Sequence, residues 1–362
     1  MKILFVVRTL GEGGASKQLA MTANALASFG HDVSIFSYYS NAPFQKLNEM
    51  IKYIPQKKLS SSKLSEYLFS AFRVRRVIKE EHPDVVVGWR CNAGCFSVLA
   101  AIGLKCKVVF SERTDPYMEK SLALKISAWI CGFSDGGVFQ LEAVRKYYKS
   151  LYSKSDVIPN PIDYKFDRDD RKIDYEKRPL KVAFVGRMFM PQKRQDIALA
   201  AFEIFSKDFP DFELHFYGDG RDLSKVKAIV SEKKLEKKVL FHGIIKNVID
   251  EIRDARMLLL TSDYEGIPNV ILEAFVAGVP VVSTDCSPGG AKFLIGDDEN
   301  GLLAPIGDAK AIAQKMTKLV DDFQLASKYI ENGRRKLQEF VPEEICKNWE
   351  KYLLGIVEGD FL

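Results

Sequence analysis

Glu265 and Glu273 are the residues of this chain best placed for chemistry, because Gly266, Ile267, Pro268, Asn269 and Val270 between them read as a loop that runs into an apolar helix. Pro268 suits the first helical turn, where its missing N–H costs nothing. The free N–H groups of such a turn, aligned with the helix dipole, attract an anion. Glu273 is the single charged residue of 270–277, and a carboxylate in so apolar a helix is costly unless donors meet it. Sugar or ribose hydroxyls are suitable donors; a side chain that reaches solvent or a neighbouring Lys is the plain alternative.

A second cluster follows the apolar run 181–185: Gly186 and Arg187, then Lys193 and Arg194 just ahead of a helical stretch. Cations on both sides of a short loop suit a diphosphate, whose charge grows as it departs. The third cluster is Gly11-x-Gly13-Gly14-x-Ser16, after the first apolar run. Its glycines let backbone approach a ligand closely, but the spacing is not the dinucleotide fingerprint, and no acidic residue ends the second strand to hold a ribose. A nicotinamide enzyme is thereby disfavoured. Asp167-Arg168-Asp169 spells a D-x-D metal motif, yet it stands among Arg and Lys rather than at the end of an apolar strand. The four histidines show no ligand spacing and the six cysteines form no C-x-x-C pair, so no metal is expected and the thiols read as reduced core residues.

These clusters need strands to end just before them. Short β-branched runs alternate with helical stretches at 3–7, 33–36, 85–87, 108–110, 137–139 and 156–158. The alternation restarts after the charged stretch 167–178, with strands at 181–185, 213–217, 239–241, 257–260 and 280–283 and helices at 194–206, 223–233 and 270–277. The fold class implied is α/β, with two Rossmann-like, doubly wound domains at 1–166 and 176–340 whose strand ends face one another across a deep cleft. A further helix over 342–358, with Trp349, Tyr352 and Leu353 as packing residues, is expected to return to the first domain.

A length of 362 residues suits two domains, and the composition is that of a folded globular protein. The opening apolar run is too short for a signal-peptide core, and no stretch reaches the roughly 20 apolar residues of a membrane span. A cytoplasmic protein is expected. The net charge of +5 is uneven: 46–79 holds nine Lys or Arg against Glu49 and Glu66, with Tyr53, Tyr67, Phe69 and Phe72 interleaved. That patch fits an anionic membrane surface, on the inner face of the plasma membrane, as well as it fits a solvated helix face. No nucleic-acid-binding module is present.

Together these residues resemble the retaining family 4 glycosyltransferases of the GT-B fold, in the bacterial polysaccharide-biosynthesis branch. The likeness spans the glycine-rich first turn, Asn160-Pro161-Ile162-Asp163, Gly186-Arg187 with Lys193, Glu265-x7-Glu273, and Gly278-Val279-Pro280-Val281-Val282-Ser283-Thr284. It implies a nucleoside-diphosphate-sugar donor, a UDP-sugar above all, held mainly by the second domain with Gly13 and Gly14 reaching it from the first. Glu265 would contact the sugar hydroxyls, Glu273 the ribose, the backbone of 266–270 the sugar and phosphates, and Gly186, Arg187 and Lys193 the departing diphosphate. Catalytic roles fall to Glu265, Arg187 and Lys193, without cofactor or metal. The implied acceptor is a polyprenyl-diphosphate-linked glycan of capsule, exopolysaccharide or O-antigen synthesis. One departure stands out: where many relatives carry a His after the fourth strand, this chain has Ser111-Glu112-Arg113-Thr114-Asp115-Pro116. Glu112 and Arg113 are both left as candidates for an acceptor or positioning role. Two alternatives remain, a UDP-sugar 2-epimerase of the same fold and a non-catalytic partner of another transferase.

Overall fold

The computed structural model describes residues 1–11, 13–39, 43–56, 63–118, 121–162 and 175–360, the side chains of 63–68 excepted. They form two compact units, Met1–Pro161 with Phe340–Leu362, and Ile162–Glu339. The metal-like Asp167-Arg168-Asp169, and Asp163, lie outside the described residues.

The first unit runs β1 (Lys2–Val7), α1 (Gly14–Ser28), β2 (Asp32–Ser37), β3 (Lys52–Pro55), α2 (Lys63–Glu81), β4 (Val85–Trp89), α3 (Cys91–Ala101), β5 (Lys107–Glu112), α4 (Leu122–Cys131), β6 (Gly136–Phe139), α5 (Glu142–Tyr147) and β7 (Ser155–Val157). Its strands are parallel, in the order β3-β2-β1-β4-β5-β6-β7. Such a sheet is covered on both faces, which is why its central strands β1 and β4 run apolar at consecutive positions and not only at alternate ones. Along β1, Ile3, Phe5 and Val7 enter one core with Val85, Val87 and Trp89 of β4, while Leu4 and Val6 enter the other with Val86.

The second unit repeats the plan: β8 (Lys181–Val185), α6 (Met190–Lys193), α7 (Gln195–Asp208), β9 (Glu213–Tyr217), α8 (Leu223–Glu232), β10 (Val239–Gly243), α9 (Val248–Ile252), β11 (Met257–Leu260), α10 (Asn269–Ala277), β12 (Val281–Thr284), α11 (Gly290–Ile295), β13 (Leu302–Ala304), α12 (Ala309–Asp321) and α13 (Phe323–Lys336). The parallel order is β10-β9-β8-β11-β12-β13. Both units are therefore doubly wound α/β, the class the alternation implies. The sequence reading missed β3 and β13. Each is a short strand at a sheet edge; β3 is only partly buried, and so lacks the apolar run that marks a central strand.

Helix α14 (Pro342–Glu358) belongs to the first unit. Trp349 stacks on Trp89 with ring centroids 5.7 Å apart, and the Arg113 guanidinium lies over both rings, at 4.6 and 5.1 Å. The Tyr352 hydroxyl accepts from the Gly137 N–H and donates to the Lys154 carbonyl, both at 2.7 Å. An apolar ring pair and a saturated hydroxyl thus hold the last helix to strands far away in sequence.

Several cations of the basic 46–79 stretch are occupied internally. Lys52 pairs with Glu81 at 2.6 Å, Arg76 with Glu80 at 3.5 Å, Arg73 is buried, and Arg75 donates to the Ala100 and Ile102 carbonyls at 2.7 Å. Lys57 and Lys58 lie outside the described residues. Among the described residues no helix is long and apolar enough to cross a membrane. All six cysteines are free; burial pushes the Cys95 thiol up to about 11 and those of Cys286 and Cys346 up to about 12, which makes them inert as nucleophiles.

Trp349→Ala should cost the first unit about 3–5 kcal/mol, the usual range for emptying a large buried site. Calorimetry should show one unfolding transition lowered and the other unmoved; an unchanged profile would mean that α14 does not hold the first unit together.

Candidate active site

The site is built in the second unit where β8 and β11 lie side by side, Met257 opposite Val182 and Leu258 opposite Ala183. The loops after these two strands are fastened to each other. Thr261 Oγ1 reaches the carbonyls of Lys193 and Arg194 at 2.9 Å, and the Asp263 N–H donates to the Gln192 carbonyl at 2.9 Å. Arg194 adopts a left-handed conformation, φ 49° and ψ 52°, between α6 and α7. Its guanidinium grips Asp196 at 3.0 to 3.3 Å and Asp263 at 3.0 and 3.1 Å. The hydrogen bond it donates to Asp196 is the main cause of its raised pKa. Arg194 is thus a brace and has little charge left for a ligand.

Lys193, the residue before that turn, is directed to the β11 loop, where its ammonium pairs with Glu265 Oε1. Ser262 Oγ donates to the same oxygen at 2.6 Å, and Gln192 Nε2 stands 3.5 Å from Oε2. A largely buried carboxylate with an ammonium and hydroxyl donors escapes most of the penalty that isolation would impose. The loop itself is pinned from the other side: the Glu265 N–H donates to the Ser287 carbonyl at 2.8 Å, the Ser287 N–H to the Asp263 carbonyl at 3.1 Å, and Thr284 Oγ1 to the Ser262 carbonyl at 2.5 Å. A Cβ on Gly290 would stand 1.8 Å from the Gly266 carbonyl oxygen, so only glycine permits this approach.

Pro268 is the cap residue of α10 rather than a member of its first turn, with φ −72° and ψ 99°. The extended ψ ends the loop, and the missing N–H remains without cost. Ile267 and Val270 are buried beside it, Asn269 opens the helix with no acidic residue in its first turn, and Glu273 is buried one turn on. Gly186 leaves its backbone open to Lys193, whose Cδ and Cε would lie 3.5 Å from a Cβ there. Arg187 is exposed, and among the described residues its side chain has no hydrogen bond or ion pair.

Other site residues escaped the sequence reading. Ser262 and Asp263 stand in the run that leads into Glu265 but had no role assigned to them, and Gln192 bears no motif of its own. Gly218 and Gly220 do: a Gly-Asp-Gly directly after β9 was a readable signal. A Cβ on Gly218 would stand 2.2 Å from the Gly186 carbonyl oxygen, which brings the β9 loop against the start of the site.

The remaining candidates lie in the first unit. Gly13 caps α1 at φ 112°, a conformation that favours glycine, and Gly14 begins the helix. Glu112 and Arg113 are both buried. Glu112 Oε1 accepts from the N–H groups of Arg113 and Thr114 and from Thr114 Oγ1, at 2.8, 3.1 and 2.8 Å, so it binds its own turn together. Arg113 donates to Ser111 Oγ at 2.9 Å and to the Ile158 carbonyl at 3.1 Å, beneath the two tryptophans, and burial pulls its pKa down to about 9. Both side chains are engaged inside the unit.

Comparison with known proteins agrees with this architecture. Residues 12–166 match the family model "Glycosyltransferase Family 4", and residues 165–336 match "Glycosyl transferases group 1". The chain is 27% identical over 362 residues, with 98% of this chain and 99% of the relative covered, to the Campylobacter jejuni protein named GalNAc-alpha-(1->4)-GalNAc-alpha-(1->3)-diNAcBac-PP-undecaprenol alpha-1,4-N-acetyl-D-galactosaminyltransferase. Among solved structures, Anabaena HepE in complex with UDP gives a TM-score of 0.80 at 20% identity, covering 98% of this chain and 100% of that one. Sucrose-phosphate synthase from Thermosynechococcus elongatus gives 0.83 at 18% identity, covering 99% of each. The structural likenesses carry the fold and the two family models, which meet at 165–166, carry the lineage: the chain is a glycosyltransferase of the GT-B fold and belongs to the family 4, group 1 enzymes.

Proposed function

We propose that this enzyme moves a hexose or N-acetylhexosamine, with retention, from a UDP-sugar to a polyprenyl-diphosphate-linked glycan in the assembly of a bacterial capsule, exopolysaccharide or O-antigen. The observation that carries this reading is the Lys193–Glu265 pair held by Ser262 just ahead of α10. The Campylobacter relative, whose named acceptor is a PP-undecaprenol glycan, and the UDP bound in HepE point the same way.

The chemistry follows from the charges. Breaking the bond between the sugar carbon and the diphosphate builds negative charge on the leaving oxygen, and cations fixed in advance stabilise that transition state more than the ground state. Arg187, with no partner of its own among the described residues, and Lys193 supply them. On donor binding Lys193 exchanges Glu265 for the diphosphate, which releases the Glu265 carboxylate to accept from sugar hydroxyls. The first turn of α10, with Ile267, Asn269 and Val270, cradles the phosphates and sugar, and Glu273 holds the ribose. The acceptor hydroxyl attacks the same face that the diphosphate leaves and passes its proton to the departing phosphate oxygen. The first unit carries the acceptor, with Glu112 and Arg113 keeping the β5 turn in shape. Two cations make a metal unnecessary, and the enzyme works in the cytoplasm at the inner membrane face.

A 2-epimerase needs acid–base groups in the same place. Here His215 Nδ1 and His242 Nε2 are 2.9 Å apart and engaged with each other, and among the described residues no His bonds to Lys193, Glu265 or Ser262.

With labelled UDP-sugars and a lipid-linked acceptor, Glu265→Ala and Lys193→Ala should each lower kcat/KM by about 100-fold or more, as loss of charge stabilisation does elsewhere, with unchanged circular dichroism. Wild-type turnover in either variant would remove these residues from the site. Transfer should persist in EDTA; its loss there, restored by a divalent ion, would overturn the metal-free mechanism. Gly290→Ala should push Gly266 aside and raise the KM for donor while the fold survives, measured by donor titration alongside thermal melting.

A further inference from the structure

Helix α4 is packed the wrong way round for a helix on a globular domain. Its sequence is LALKISAWIC, and the residues it buries are Ser127 and Cys131. Leu122, Ile126 and Trp129, with Phe133 just beyond the helix, are 73%, 50%, 68% and 65% exposed. Their spacing places them along one side of the helix, and the Trp129 and Phe133 rings touch edge to face at 4.9 Å. An ordinary surface helix turns such residues inward. The neighbouring helices extend the surface: α3 packs against both α2 and α4, Leu99 and Ile102 are exposed at its end, and Phe69 and Phe72 are exposed on α2. An apolar face of this extent on one side of a domain marks an interaction site.

The charges on this face name the partner. Neither 91–111 nor 121–134 contains an Asp or Glu, whereas Lys105, Lys107 and Lys125 are all exposed there. Lys107 approaches Asp135 at 3.7 Å; the side chains of Lys105 and Lys125 have no ion pair among the described residues. A second copy of the chain meeting this face about a two-fold axis would bring lysine to lysine with no carboxylate of α3 or α4 to answer. An anionic bilayer answers both features, since its headgroups attract the lysines and its interfacial zone accepts Trp, Phe, Leu and Ile side chains.

We infer that the outer face of α4, with the exposed end of α3 and Phe69 and Phe72 of α2, is the surface by which this enzyme lies on an anionic lipid bilayer, with Trp129 and Phe133 in the interfacial layer and Lys125 and Lys105 on the headgroups. The centre of membrane contact thereby shifts from the cations of 46–79, of which Lys52 and Arg76 are in ion pairs and Arg75 is held by carbonyls, to a helix whose sequence carries a single charge, with Phe69 and Phe72 of α2 beside it. The inference deepens the lipid-linked-acceptor reading and rests on it for the choice of a bilayer. Its test reads lipid contact without sugar transfer, so each can fail alone.

Of the three tryptophans, Trp89 and Trp349 are buried against each other and Trp129 is exposed. Vesicles of brominated phosphatidylglycerol should therefore quench a part of the emission that Trp129→Phe removes. In sedimentation with equimolar phosphatidylglycerol and phosphatidylcholine vesicles, Leu122→Ser/Ile126→Ser/Trp129→Ser should bind at least tenfold more weakly than wild type, while UDP-sugar binding stays equal. Neutral phosphatidylcholine vesicles should bind wild type less than the anionic ones. The inference is overturned if brominated lipid leaves Trp129 unquenched, or if the triple variant sediments like wild type. A lipid-free wild-type dimer that shields Trp129 from acrylamide and dissociates in the triple variant would likewise overturn it and make the face a self-association surface.

Discussion

An ammonium and a carboxylate from loops far apart in sequence meet in the second unit only because β8 and β11 are adjacent parallel strands. The strand order turns at that place, running from β8 to β9 and β10 on one side and from β11 to β12 and β13 on the other. Helices leave to opposite faces there, and the strand ends open a crevice between them. The Lys193–Glu265 pair occupies the opening. Its cost in lost hydration is offset by Ser262 and by the Arg194 brace, which ties Asp263 and Asp196 around the same loops.

The first unit has the same winding but uses its polar groups differently. Glu112 and Arg113 stand at the end of β5, where ligands are expected, yet they serve the fold: the carboxylate ties its own turn and the guanidinium is sandwiched with Trp89 and Trp349. Buried charge is tolerated because hydrogen bonds and ring faces meet most of it. The last helix is thereby locked to the sheet. Helix α4, on the next crossover, breaks the ordinary rule in the opposite sense by leaving its largest apolar residues in solvent. A domain well enough anchored elsewhere can tolerate such a face.

Most of the central strands were legible because parallel sheets bury both faces, and long β-branched runs have few other uses. The repeat of the pattern and the loop-to-helix passage from Glu265 to Glu273 were legible for the same reason, since polar residues placed just after such runs stand at strand ends. What escaped was short or shared. Strands β3 and β13 lie at sheet edges and have only a few residues each to carry the signal. Gly290 matters through the carbonyl of another loop, which no local pattern reports.

Sequence alone determined the class of fold, the two-part plan and the residue types available at each strand end, because these depend on local periodicity and composition. Tertiary structure decided how those residues are used. It spent Arg194 on two aspartates, gave Lys193 to Glu265, turned Arg113 inward beneath two tryptophans, and faced the apolar side of α4 outward. A helix apolar on most sides has no period by which its buried face can be read. A cation likewise has no label for its partner until the chain brings a particular carboxylate, ring or carbonyl within hydrogen-bonding distance.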